Sequence, residues 1–251
     1  MEEPPVKLEV RSGVSLANPY PVRFEDDWPI PRTQWTKMYL RVDREPSADP
    51  RGVEGALVTK VPEQTGKARY GQSAPSRPGK MPRGISLETA PMTQDTEITG
   101  PIVLNLWVSS TGKDVDIFAT LRNIDADGKD VLDMGQQGEP LECATKGWLR
   151  ASHRKLDPAK SLPYRPYHAH DERQWLKPGE AVECQVEIWP TSMTFKKGQK
   201  LRLDISPADG IGTQHFTHFH ADYNQGQTAT IYSGGERPSF LLLPVIPERK
   251  G

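Results

Sequence analysis

The sequence predicts an all-β protein, an antiparallel β-sandwich with long irregular loops, and three observations predict it. The 251 residues include 24 prolines and 21 glycines, so spread that no segment offers a long uninterrupted amphipathic helix. Apolar residues recur with a period of two nearly everywhere a period can be read. Turn signals separate most of these alternating stretches, and the crossover helices of a parallel sheet have nowhere to sit. At 35% hydrophobic residues the chain can still bury a substantial core.

Taken in order, Val6, Leu8 and Val10 alternate with charged residues and read as a half-buried strand. Met38, Leu40 and Val42 repeat the pattern. Ile102, Leu104, Leu106 and Val108 share one face; Val115, Ile117, Ala119 and Leu121 share another after a short polar connection. The opposite faces of these two strands carry Val103, Trp107 and Phe118, which predicts a central, doubly covered position. Asp125-Ala126-Asp127-Gly128 reads as a hairpin turn, with Val131 and Met134 on the return. Val182 to Ile188 alternates as far as Pro190, Leu201 to Ile205 follows a Lys-Gly-Gln turn, and Ala229 to Tyr232 and Phe240 to Ile246 complete nine or ten strands. Residues 60–91, rich in Pro, Gly, Ser and Lys, read as a long loop or arm, and 135–178 as an irregular stretch anchored by Trp148, Leu149 and Trp175. Residues 1–251 are expected to form one domain, since sandwiches of about this length are common.

Composition narrows the partners. A net charge of −1, with no dense basic block, argues against a nucleic-acid partner. The longest apolar run, Phe240 to Ile246, falls far short of a membrane helix. The acidic start has no apolar signal segment. Cys143 and Cys184 are expected to be reduced structural thiols of a cytoplasmic protein.

A search for chemistry finds no activated nucleophile. Gly13-Val14-Ser15-Leu16-Ala17 imitates a nucleophile elbow, but Asn18-Pro19-Tyr20-Pro21 forbids the helix an elbow needs. Ser86, in Gly84-Ile85-Ser86-Leu87-Glu88, lacks the second small residue and a preceding apolar strand. His168-Ala169-His170 would place two imidazoles on one strand face, as in jelly-roll metal sites, but the glycine and glutamate of a cupin motif are missing. His215, His218, His220 and Asp222 form the denser cluster. Flanking aromatics favour a hydrogen-bonded pocket wall over a metal site, so they stand as candidate ligand-binding residues, with no metal and no cofactor expected. Asp125, Asp127 and Asp130 imitate the start of a calcium loop without its later glutamate and read as solvated turn residues. The six tryptophans could stack on sugars, but core and anchoring roles are expected for most.

Several stretches together resemble one family. Asp27-Trp28-Pro29-Ile30-Pro31-Arg32-Thr33 and Lys37-Met38-Tyr39-Leu40 are similar to the start of the C-terminal jelly-roll domain of CocE/NonD serine hydrolases, the cocaine esterase and X-prolyl dipeptidyl-peptidase family. Val103 to Ser110 and Asp114 to Leu121 resemble its S-[ST]-x(3)-D-x-D strand pair, and Gly147 to Arg154 its G-x-L-R-x-S-x-R segment. Leu176 to Glu180, Phe195 to Leu203 and Ser239 to Val245 resemble its later transitions and last strand. The resemblance covers nearly the whole chain.

It implies an antiparallel jelly-roll sandwich of galactose-binding-like type. In that family the catalytic triad lies on an upstream α/β-hydrolase domain, so no triad residue carries over and this chain is expected to be inactive alone. The implied role is non-catalytic: packing on a hydrolase domain in cis or in trans, shaping its substrate cleft and building a homo-oligomer interface. The alternative is a free-standing module that binds carbohydrate or a similar ligand.

Overall fold

The computed structural model describes residues 4–13, 20–46, 52–72, 84–134, 140–141, 143–209 and 226–248. These hold fifteen strands: β1 (Val6–Glu9), β2 (Val22–Glu25), β3 (Gln34–Val42), β4 (Gly55–Val58), β5 (Gly66–Gln72), β6 (Ile85–Glu88), β7 (Thr96–Ser110), β8 (Asp116–Ile124), β9 (Asp133–Met134), β10 (Pro140–Leu141), β11 (Thr145–Arg150), β12 (Val182–Phe195), β13 (Lys200–Ser206), β14 (Gln227–Ser233) and β15 (Phe240–Ile246). The one helical element among the described residues is a 3₁₀ turn, Ala151–His153. No helix there is long and apolar enough to cross a membrane.

β1 pairs with β2 and β9 with β10 as separate ribbons; the other eleven strands form one sheet in the order β12-β11-β8-β13-β6-β4-β3-β15-β7-β14-β5. β12 also pairs with β7 along most of its length. That pairing closes nine strands into a barrel-like sandwich, with β14 and β5 carried beyond the end of β15 on the same edge of β7. Closure removes the open edges that strands otherwise present to water. Every pairing between strands is antiparallel except the short contact of β4 with β6.

The alternation explains the interior. Ile98, Ile102, Leu104, Leu106 and Val108 of β7 meet Cys184, Val186, Ile188, Met193 and Phe195 of β12, Leu201, Leu203 and Ile205 of β13, and Leu241 and Leu243 of β15 in one buried cluster. Removing such side chains from water is the main favourable contribution to folding, about 25 cal/mol per Å². β7 and β8 are also covered on their other faces, where Val103, Asn105, Phe118 and Thr120 are buried. Their expected central position holds.

Other expectations change. Residues 60–91 are not one long loop: β5 and β6 lie inside them. β5 escapes the apolar pattern because its inward residues are Ala68, Tyr70 and Gln72, two of them small or polar. The irregular stretch expected at 135–178 contains β11, whose inward face is Thr145, Gly147 and Leu149. Asp125 to Gly128 does turn the chain, closed by Asp125 N–H on the Lys129 carbonyl at 2.8 Å. Yet the return departs after one bridge, Asp130 to Ile124, and Asp133–Met134 pairs with β10 instead of β8.

Pro190 does not end β12. Ile188 pairs with Ile102 and Thr191 with Gly100, leaving Trp189 and Pro190 together opposite Pro101. This β-bulge follows from two prolines facing each other, since neither has an N–H to donate to the ladder. It shifts the alternation by one residue. Ile188 and Thr191 point inward, while Trp189 and Pro190 both face out.

Candidate functional site

Strand β11 and the bulged part of β12 lie side by side at a single register pair, Gly147 with Ile188. The approach is so close that a Cβ on Gly147 would lie 2.1 Å from the Glu187 carbonyl oxygen. Only glycine fits there. Trp148 and Arg150 alternate outward from β11, and Glu187 and Trp189 outward from β12, to form the floor of an open cavity of about 390 Å³.

The roof comes from the chain that follows β11. Residues 155–169 fold back on themselves, with Leu156 bridged to His168 and Leu162 to Arg165. At the tip of this excursion Tyr164 stacks on Trp35 of β3, ring centroids 4.7 Å apart and planes at 8°. Arg154 donates to the carbonyls of Ala151 and Gln174, and Ser152 accepts from Gln174 N–H at 2.7 Å. These contacts bring His153, His168 and His170 around one side of the cavity.

His153 Nδ1 and His170 Nδ1 are 3.0 Å apart, so one ring donates and the other accepts. His170 has a positive φ of 54°, a left-handed backbone uncommon outside glycine. His168 and His170 therefore do not share a strand face; their ring centroids lie 5.9 Å apart. The His168 Nε2 is buried and has no hydrogen-bond partner among the described residues. Burial, then the neighbouring His170, holds His168 below the ordinary imidazole range, and the same two causes lower His153. Burial raises the Glu187 carboxyl, opposed by Arg165.

Beneath the cavity lies a buried polar junction. The Asp114 carboxylate accepts from Val115 N–H (2.9 Å), Ser152 N–H (2.8 Å) and the Ser152 hydroxyl (2.6 Å). Arg150 Nε donates to Asp116 at 3.0 Å and lies 3.7 Å from Asp114. The D-x-D and R-x-S motif residues are thus one assembly that locks β11 and its 3₁₀ turn to the start of β8.

The other sequence candidates fare differently. His215, His218, His220 and Asp222, and also Ser15, lie outside the described residues. The Ser86 hydroxyl donates to Asp204 at 2.5 Å and accepts from Arg202, with no imidazole beside it among the described residues. Asp125 Oδ1 caps its own turn through the N–H groups of Asp127 and Lys129, and Asp130 pairs with Arg122. Among the described residues no group of three or more His, Cys, Asp or Glu side chains is arranged to hold a metal ion. Of the core and anchoring roles expected for most tryptophans, Trp35 anchors Tyr164, but none of the six is fully buried, and Trp189 is 60% exposed. Glu187 and His153 were not among the sequence candidates, and Trp189 was one of six tryptophans with nothing to single it out by residue type. The legible signal was Trp189-Pro190, where a proline interrupts an alternating run and turns the aromatic outward.

A closed all-β scaffold whose motif carboxylates, arginine and serine are tied to one another defines a class of protein: an all-β domain knit together by a buried polar junction. The profile of the X-Pro dipeptidyl-peptidase C-terminal non-catalytic domain matches residues 1–242, and the chain belongs to that family. A putative serine esterase of Mycobacterium bovis is 27% identical over 239 residues, covering 88% of this chain and 35% of the relative. The cocaine esterase of a Rhodococcus species is 22% identical over 259 residues, covering 89% and 40%. A crystal structure of a CocE/NonD family hydrolase from Staphylococcus aureus superimposes with a TM-score of 0.79 at 25% identity, over 97% of this chain and 41% of that one. An α-amino acid ester hydrolase shares the fold at 16% identity and a TM-score of 0.59. The chain spans about two fifths of the length of these relatives or less.

Proposed function

We propose that this chain acts as the accessory domain of an ester- or peptide-cleaving serine hydrolase. In this reading it is a single jelly-roll unit of galactose-binding-like course. It packs on an α/β-hydrolase domain, walls part of the substrate cleft and contributes to a homo-oligomer interface. The match of nearly the whole chain to a non-catalytic domain, against two fifths of a hydrolase, supports it most directly. The exposed apolar side chains Val22, Phe24, Trp28 and Trp35, gathered within residues 22–35, suit a surface that another domain covers. The unpaired thiols of Cys143 and Cys184 suit a cytoplasmic setting.

A chimera tests the reading. The chain alone is expected not to turn over p-nitrophenyl esters or X-Pro anilides. Placed in the corresponding C-terminal part of the staphylococcal relative, it should give a soluble protein that keeps that relative's esterase activity. Turnover by the isolated chain, or a folded chimera that behaves as two independent domains, would overturn the proposal.

A further inference from the structure

The cavity between β11 and β12 has a chemistry that the packing role does not use. Its volume of about 390 Å³ lies within the range of small-ligand sites. One wall is aromatic: Trp148 and Trp189 meet with centroids 5.4 Å apart and planes at 50°, and the bulge at Pro190 leaves Trp189 open to solvent. The rest is polar and dominated by hydrogen-bond acceptors. The His168 ring borders the cavity with its Nε2 closed off from solvent and without a hydrogen-bond partner among the described residues. Glu187 adds carboxylate oxygens. The His153–His170 pair shares one proton between its Nδ1 atoms, which leaves one Nε2 as a donor and the other as an acceptor.

Anionic ligands do not fit this arrangement. Arg150, the one guanidinium lining the cavity among the described residues, is already committed to Asp116 and lies against Asp114. The Glu187 carboxylate and the accepting Nε2 of the His153–His170 pair call for donors from the ligand. The complementary ligand brings several hydroxyl donors on a ring with an apolar face to lie on an indole. We propose that this cavity is a binding site for a neutral sugar of one or two rings, stacked on Trp189 and hydrogen-bonded by Glu187 and the His153–His170 pair. The inference does not rest on the accessory-domain reading, because every residue of the site belongs to this chain.

Titration calorimetry and saturation-transfer NMR on the 251-residue chain test it, with methyl glucoside, methyl galactoside and cellobiose as probes and choline as the cationic comparison. At least one sugar is expected to bind saturably, with a dissociation constant on the order of 1 mM, roughly the strength of a small, open, single-indole site. Trp189→Ala and Glu187→Gln should each weaken it at least about tenfold. Trp175→Ala, a tryptophan outside the cavity lining, should leave it unchanged. Trp189 is a surface residue, so its variant should fold normally, and a native circular dichroism spectrum checks this. No saturable binding of any of the three sugars, equal binding by Trp189→Ala, equal loss in Trp175→Ala, or binding of choline in preference to the sugars would each overturn the proposal.

Discussion

Ser152 gives both of its donors to Asp114: its backbone N–H lies 2.8 Å and its hydroxyl 2.6 Å from oxygens of the same fully buried carboxyl group. Thirty-eight residues apart in sequence, the two join the start of β8 to the 3₁₀ turn after β11. Asp114→Ala would strand three buried donors, the two of Ser152 and the N–H of Val115. A loss of about 3 kcal/mol or more is expected, against about 1 kcal/mol for Ser152→Ala, which removes only the hydroxyl bond. Urea midpoints at constant m-value measure both; equal midpoints for Asp114→Ala and the unaltered chain would show the junction to be dispensable.

Gly147 sets the distance between β11 and β12. With the Glu187 carbonyl 2.1 Å from where a Cβ would stand, Gly147→Ala must push backbone away from backbone. A cost of about 2–4 kcal/mol is expected, in the upper range for overpacking because no flexible side chain can yield. Hydrogen exchange should localise the damage, with protection lost in Thr145–Arg150 and around Ile188 and retained in β3 and β15.

The histidines make stability depend on pH with a definite sign. The unfolded chain takes up imidazole protons near about pH 6.5, whereas burial holds folded His168 and His153 lower. Their contribution is therefore complete above about pH 6.5 and is lost as pH falls from there through the folded values. Asp114, Asp133 and Glu187 act in the opposite sense. Burial raises them, so their contribution falls as pH rises through the window above ordinary carboxylate values. Comparing the unaltered chain with the double variant His153→Gln/His168→Gln isolates the imidazole part. The variant's melting temperature should drop less between about pH 7.5 and about pH 5.5; parallel curves would refute the assignment.

Both cysteines should resist thiol reagents in the native state. Burial pushes the Cys184 thiol up to about 12 and raises that of Cys143, and the thiolate is the reactive species. Disulfide-exchange titration should find both thiols only after unfolding in guanidinium chloride, Cys143 being the first to appear as denaturant is added. Prompt native-state labelling of Cys184 would contradict its place in the core.

Much of the scaffold was legible where inward positions are large and apolar. Ile102, Leu104, Leu106 and Val108 marked β7, and Asp125 to Gly128 marked the turn after β8, because strand period and positive φ are local properties. β5 and β11 were not legible. Their inward faces include Gln72, Thr145 and Gly147, which reach the interior through partners elsewhere in the chain and not through hydrophobicity. The candidate site was less legible still. His153 and His170 are seventeen residues apart and meet because Tyr164 docks the excursion onto Trp35, a contact no sequence window contains.

By itself the sequence determined an all-β chain rich in turns, the central place of β7 and β8, and membership in a non-catalytic domain family, since alternation, turn chemistry and motif order all reside in short stretches of residues. The tertiary structure alone decided that β12 returns to β7 and closes the sandwich, that two facing prolines turn Trp189 outward, and that His153, His168 and His170 gather beside one cavity. Burial and hydrogen-bond satisfaction depend on which distant strands come into register, and that register is settled only when the whole core packs.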